Sequence, residues 1–325
     1  MAATPKACAD VLFGDIFIAR HGAVPAHAFG VAAKRRPWNN CTDPFNLGEP
    51  SVPELPEVET VVRDLRPLLI GRSFTKIAVS KKALRQKWSR AWHPHLLGQR
   101  VEAIERRGKW ILVNLGEGWL LVHLGMTGQF TVADAELPRQ PHTHIVFTLD
   151  DANELRFRDI RRFGSVSYYA NRQTLDDVFL ANGLGPEPFD LDAASWHAAL
   201  QSTRRNLKAI LLDQAIIAGV GNIYADESLF AAKLHPATPG HTLTPKQAEK
   251  LRRAIVAVLT RAIERRGSSI RDYVGGSGLK GQMQDEFRAY GRTGEPCFRC
   301  RAALVKITLA GRSTHFCPQC QAKRT

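Results

Sequence analysis

The 325-residue sequence lacks any uninterrupted apolar run near the ~20 residues that a membrane-spanning helix requires. Cysteine is sparse: six residues are too few for a disulfide scaffold in a chain of this length. Acid is short relative to base, with 31 Asp and Glu against 45 Lys and Arg, for a formal net charge of +14. Internal repeats are absent. Hydrophobic residues at 44% and charged residues at 23% exclude a disordered or collagen-like chain. What remains is a globular protein long enough for about two domains. The basic excess points to a polyanionic partner, nucleic acid first, although a basic protein without such a partner has the same composition.

Residues 1–52 show no sustained helical or strand period. The apolar stretch at 11–13 is broken by Asp15 and makes a poor signal-peptide core; Asp10, Asp15, Asp43 and Glu49 argue against a transit peptide. From Pro53 the pattern sharpens. Pro56 suits a first helical turn. Val58, Val61, Val62 and Leu65 follow at i, i+3, i+4 and i+7, making one apolar face that Gly71 closes. Pro67 is expected to kink or shorten this helix. Alternating or β-branched runs at 74–79, 101–115, 119–132, 144–149 and 155–169 read as strands, separated by turns such as Gly116-Glu117-Gly118. One helix followed by hairpin-linked strands predicts an antiparallel sandwich or barrel. The Gly/Pro-rich stretch 182–190 is the best domain boundary. Beyond it, segments near 191–202, 205–214, 222–232 and 245–265 read as helices, and Gly219-Val220-Gly221 is a tight break between two of them.

Four cysteines, Cys297, Cys300, Cys317 and Cys320, form Cys-x2-Cys-x16-Cys-x2-Cys. Each pair suits a knuckle aiming two thiolates at one ion, and two knuckles joined by a β-hairpin give tetrahedral Zn2+. Four cysteine ligands leave no open position, so the expected ion is structural; two disulfides are the alternative. Arg312, between the knuckles, is placed to meet a phosphate or a base, or else is a solvated surface arginine. Asn222 follows Gly221 at a helix start, where backbone N–H groups suit a phosphate. Arg204, Arg205 and Lys208 add cations nearby. Taken alone, such a helix break is more often a packing device and Asn a cap.

These segments, read with Pro53-Glu54-Leu55-Pro56-Glu57-Val58-Glu59-Thr60, His123-Leu124-Gly125-Met126-Thr127-Gly128, Asp159-Ile160-Arg161-Arg162-Phe163-Gly164, Gly219-Val220-Gly221-Asn222-Ile223-Tyr224 and Tyr290-Gly291-Arg292, resemble formamidopyrimidine-DNA glycosylases, bacterial base-excision enzymes for oxidised purines. The resemblance covers Pro53 to the end. It implies an α+β fold with an N-terminal helix and antiparallel β-sandwich domain (53–181), a hinge (182–190), a helical helix-two-turn-helix DNA-binding domain (191–290) and a C-terminal zinc-finger β-hairpin (291–325), behind an extension at 1–52. It also implies removal of 8-oxoguanine and formamidopyrimidines through a Schiff base, followed by β,δ-elimination at the abasic site. The carried-over roles are Pro53 as nucleophile, Glu54 as proton shuttle, Glu57 as a support of the N-terminus, Lys109 at a phosphate near the lesion, and Arg312 as a phosphate clamp in δ-elimination. Met126, Arg161 and Phe163 would fill the hole left by a flipped nucleotide. His142, Arg204, Lys208 and Asn222 would contact DNA, and the glycine-rich stretch from Gly275 to Gln284 would be a mobile loop over the base. One structural Zn2+, a lesion-bearing or abasic DNA duplex as partner, monomeric behaviour and a cytoplasmic, nucleoid-associated location complete what the resemblance implies.

One departure matters. Pro53 has 52 residues before it, and a mid-chain proline nitrogen is an amide that cannot form an iminium. The expectation is translation from Val52, where the family has its initiator Met, followed by Met removal; proteolytic trimming and an inactive DNA binder are the alternatives. The first 52 residues hold five Lys or Arg and four Asp or Glu, so their loss moves the charge only from +14 to +13 and removes Cys8 and Cys41. Two rival readings remain: an endonuclease VIII-type glycosylase for oxidised pyrimidines and a non-catalytic zinc-dependent lesion binder. Leu55 and the Met126, Arg161 and Phe163 set favour the purine enzyme.

Overall fold

The computed structural model describes residues 52–269, 275–276 and 279–323. The extension at 1–51, with Cys8 and Cys41, and part of the glycine-rich loop lie outside the described residues. In chain order the elements are α1 (Leu55–Leu69), β1 (Phe74–Val79), α2 (His93–Leu96), β2 (Ala103–Arg107), β3 (Trp110–Asn114), β4 (Trp119–His123), β5 (Gly128–Asp134), β6 (Thr143–Leu149), β7 (Asn153–Asp159), β8 (Ser165–Tyr169), α3 (Arg172–Ala181), α4 (Ala193–Gln201), α5 (Leu207–Leu212), α6 (Asn222–Ala232), α7 (Pro245–Glu264), β9 (Val305–Leu309) and β10 (Arg312–Phe316).

The strand runs fold as two four-stranded antiparallel sheets, ordered β1-β6-β7-β5 and β2-β3-β4-β8. Alternation turns one face of each sheet inward. Phe74, Phe130, Phe147 and Phe157 from the first sheet meet Ile104, Ile111, Val113, Leu120, Val122 and Val166 from the second in one dry cluster. Val58, Val61, Val62, Leu65 and Leu69 of α1 join the same cluster, as the apolar face predicted. Pro67 does not end α1 at once. The helix runs on to Leu69, because the ring sits on the exposed side, where the carbonyl that loses its donor faces water.

A helix that the strand pattern did not predict, α3, covers the outer face of the second sheet. Leu175 and Phe179 pack on Leu112, Trp119 and Leu121, and Asn171 caps it by accepting from Thr174 N–H at 2.9 Å. The hinge stretch is tied down at once: the Glu187 carboxylate accepts from Gly108 N–H at 2.5 Å in the turn between β2 and β3, and from Arg106 at 2.7 Å and Arg107 at 3.0 Å at the end of β2.

The helical half packs α4, α5, α6 and α7 around Trp196, Leu207, Ile210, Tyr224, Leu251, Ile255 and Leu259. Thr244 opens α7 with a capping box to Gln247. Leu55, the first residue of α1, belongs to this second core while the rest of the helix belongs to the sandwich. Its N–H donates to Gly219 O at 3.0 Å. Gly219 has φ +84°, and a Cβ there would strike the Leu55 side chain, so the turn admits only glycine. The antiparallel pair β9–β10 forms the C-terminal ribbon, seated on Phe230 of α6.

Leu55→Ala removes a fully buried side chain from the seam between the two cores, and its expected cost is about 2–5 kcal/mol, read as a lower urea midpoint at unchanged slope.

Candidate active site

Glu54 precedes α1 by one residue yet serves another helix. Its carboxylate is 2% exposed and accepts Gly221 N–H at 2.8 Å, Ile223 N–H at 2.8 Å and Tyr224 N–H at 3.3 Å. These are the orphan donors at the start of α6, where the helix dipole also favours negative charge. Gly221 is required there, because a Cβ would fall on the Glu54 carboxyl carbon. Burial pushes the Glu54 pKa up to about 7; Lys109 opposes the shift, Glu57 adds to it, and the backbone donors of Ile223 and Tyr224 oppose it.

Glu57, one turn later, accepts Glu54 N–H at 3.0 Å, the Tyr224 hydroxyl at 2.6 Å, Ser268 N–H at 2.7 Å and the Ser268 hydroxyl at 3.1 Å. Burial raises its pKa against these hydrogen bonds, and raises that of Tyr224 well above the ordinary phenol value. Two acids on one helical turn therefore hold the chain beside Pro53 to α6 and to the segment after α7.

Lys109 follows Gly108 (φ +57°) in the β2–β3 turn that Glu187 anchors. Burial lowers its pKa, Glu54 and Glu57 oppose that shift, and Arg312 reinforces it. These mutual effects bring Glu54, Glu57, Lys109 and Arg312 into one electrostatic neighbourhood, with Pro53 joined covalently to Glu54. Arg312 starts β10, directly after the turn residues Ala310 and Gly311 with φ +50° and +70°.

His123 received no role from sequence, although it opens one of the motifs. Burial and the neighbouring Lys109 and Arg85 cations depress its pKa to about 3. Its Nδ1 accepts Gly125 N–H at 3.0 Å, which leaves Nε2 as the protonated, donating nitrogen of a neutral ring.

Met126, Arg161 and Phe163 come from two turns held by one carboxylate. Asp159 accepts the Thr127 hydroxyl at 2.5 Å, Arg161 N–H at 3.2 Å and Gly164 N–H at 2.7 Å. Phe163 is 38% exposed, with the Arg161 guanidinium 4.8 Å above its ring. An outward ring and cation on a rigid turn are not core packing, the reading that residue type alone would favour. His142 is exposed at φ +69°, and its carbonyl accepts Asp159 N–H at 3.0 Å, which ties its loop to the same residue.

Asn222 is the first residue of α6, and Arg204 is exposed ahead of α5. Lys208 departs from expectation. It is fully buried, donating to Asp226 Oδ1 at 2.6 Å and Asn222 O at 2.9 Å. Its ammonium is turned to these two partners and not to the surface.

The four cysteines converge. Their sulfurs all lie within 4.8 Å of one another, with Cys300–Cys317 at 3.4 Å and Cys297–Cys320 at 3.9 Å. A tetrahedral site with Zn–S near ~2.3 Å has edges of about 3.8 Å, so the quartet fits one zinc ion. All four ligands are thiolates and the geometry is closed, which is a structural site.

Residues 52–166 match the family model of the formamidopyrimidine-DNA glycosylase N-terminal domain, 184–274 that of the formamidopyrimidine-DNA glycosylase H2TH domain, and 294–323 the zinc finger found in FPG and IleRS. The formamidopyrimidine-DNA glycosylase of Chloroflexus aurantiacus is 44% identical over 278 residues, spanning 83% of this chain and 98% of the relative. Among solved structures, Lactococcus lactis Fpg with abasic-site DNA matches at TM-score 0.77 and 37% identity, and the same organism's enzyme with Fapy-dG DNA at 0.76 and 36%; each spans 83% of this chain and all of that one. The ordered motifs, the acid-capped α6 and the thiolate ribbon thus agree with the comparisons: the chain belongs to the formamidopyrimidine-DNA glycosylase family, enzymes that are DNA glycosylases with abasic-site lyase activity.

Proposed function

We propose that this chain removes oxidised purines, 8-oxoguanine and formamidopyrimidines, from duplex DNA and then cuts the abasic strand by β,δ-elimination, acting as a monomer on nucleoid DNA. The observation that carries this reading is the buried Glu54 carboxyl, joined to Pro53 through the chain and held by three backbone N–H groups at the start of α6, with burial raising its pKa to about 7. An acid poised near neutrality can give a proton and take it back.

The Pro53 secondary amine attacks C1′ of the flipped nucleotide, the bond to the base breaks with its electron pair leaving on the base, and the proton shed by the amine neutralises that base. Glu54 protonates the ring oxygen as the sugar opens to the iminium. Loss of a C2′ proton expels the 3′ phosphate, and a further elimination expels the 5′ phosphate. Lys109 and Arg312, two cations at the same locus, hold these phosphates; Asn222 at the start of α6 and the donating Nε2 of His123 add neutral contacts. Met126 and Phe163 occupy the vacated stack, and Arg161 hydrogen-bonds the orphaned base. Cys297, Cys300, Cys317 and Cys320 hold zinc, which fixes the ribbon that carries Arg312.

The nucleophile must be an amine, so the active form begins at Pro53. Supporting this, the relatives' own lengths are matched almost completely by 83% of this chain, and the N-terminal family model begins at residue 52.

Three outcomes test the reading. Protein beginning at Pro53 gives a covalent adduct with lesion DNA under borohydride, whereas protein retaining residues 1–52 binds but gives none; an adduct from chains with an intact Met1 refutes the amine requirement. The folded pKa of Glu54 lies above its ordinary value, so the donating form persists below about pH 7 and is lost as pH rises through it. Single-turnover base release should therefore fall about tenfold per unit above pH 7, with a much weaker fall for cleavage at a preformed abasic site. Cys317→Ser should lose stoichiometric zinc by atomic absorption and lower affinity for lesion DNA by at least about tenfold, while the sandwich retains its thermal transition.

A further inference from the structure

Asp226 lies on the first full turn of α6, 1% exposed, and its two oxygens face different parts of the molecule. Oδ1 pairs with Lys208 Nζ at 2.6 Å, and that same ammonium donates to Asn222 O at 2.9 Å. Oδ2 accepts His315 N–H at 2.9 Å and lies 3.0 Å from His315 Nδ1, on the ribbon strand β10. His315 stands three residues after Arg312, so by strand alternation the two side chains take opposite faces. One face of β10 is turned to α6 and the other carries the arginine.

A buried Lys–Asp pair costs desolvation on both sides and is weak evidence for added stability. Packed hydrophobes would serve stability as well. What hydrophobes cannot supply is directional restraint at both oxygens. Here that restraint falls on the two elements that bear Asn222 and Arg312, which belong to different domains.

We propose that Asp226 is a positioning residue that sets the spacing between Asn222 and Arg312, the phosphate-holding groups of the helical domain and the zinc ribbon. Lys208 works through it, and His315 is its contact on the ribbon. This rests on the reading above that both groups hold DNA phosphates.

The test uses zinc-loaded protein with three single variants: His315→Phe, which keeps ring volume and removes the donor; His315→Asn, whose amide nitrogen replaces Nδ1; and Asp226→Asn. Affinity for a duplex bearing a tetrahydrofuran abasic analogue is measured across a salt series, with zinc content and, on a duplex bearing a natural abasic site, the ratio of δ- to β-elimination product alongside. His315→Phe is expected to bind about tenfold more weakly and to lower the slope of log affinity against log salt by about one contact. It should accumulate β-product and keep one zinc per chain. His315→Asn is expected to behave as the wild type, an order that a purely packing role would reverse. Asp226→Asn should show the larger loss. Unchanged slope and product ratio in His315→Phe overturn the proposal, as does a parallel fall in zinc, affinity and every chemical step. If the wild type shows no preference for lesion duplex, the functional reading fails by itself, while slopes on undamaged duplex still judge the clamp.

Discussion

The structure turns on a single buried carboxylate. Glu54 is out of water, and a carboxylate there needs donors in every accessible direction. The start of α6 supplies them, since Gly221, Ile223 and Tyr224 N–H groups have no helical partners. Meeting that need fixes the angle at which the helical half docks on α1. It excludes a side chain at Gly221 and brings Asn222 beside the residue that follows Pro53. Glu54 and Glu57 then offset, at Lys109, the burial and the Arg312 charge that lower its pKa. An apolar residue in place of Glu54 would leave those three donors buried without partners.

Much of this was legible in the chain. Period-two runs marked the sandwich strands because each buries one face. The knuckle spacing marked the metal ribbon because two thiolates with two residues between them can reach one ion only in a tight turn. The sandwich-facing side of α1 showed in Val58, Val61, Val62 and Leu65 at i, i+3, i+4 and i+7. Helix α3 stayed hidden: its buried contact rests on Leu175 and Phe179 alone, amid charged and polar residues, too thin a stripe to show a period. Pro67 was read as kinking or shortening α1, and the helix ends two residues beyond it at Leu69.

The residues misread or passed over share one cause. Sequence reports the charge of a side chain and is silent on its depth. Lys208 looked like one more cation near a phosphate site; its partner Asp226 lies a loop and a helix start away, and nothing local announces the pairing. Glu187 sat in a stretch read as a hinge and domain boundary, where it accepts three donors from the end of β2 and the β2–β3 turn. His123 was seen as a motif letter, and burial together with the Lys109 and Arg85 cations makes it a neutral ring. In each case the role is set by a partner distant along the chain, which one-dimensional pattern cannot supply.

Helix α1 divides its side chains between two cores, Leu55 to the helical half and the valines to the sandwich. Covalent continuity across the 182–190 stretch is therefore not what keeps the halves together. A chain nicked there would still carry α1 as a shared strut, and the halves would melt in one transition. The same sharing restricts descent: neither half can be traded for a foreign domain unless the newcomer brings a pocket for Leu55 and a helix start for Glu54. The catalytic end of the molecule is thus inherited as a unit, although its sequence motifs lie scattered over more than 250 residues.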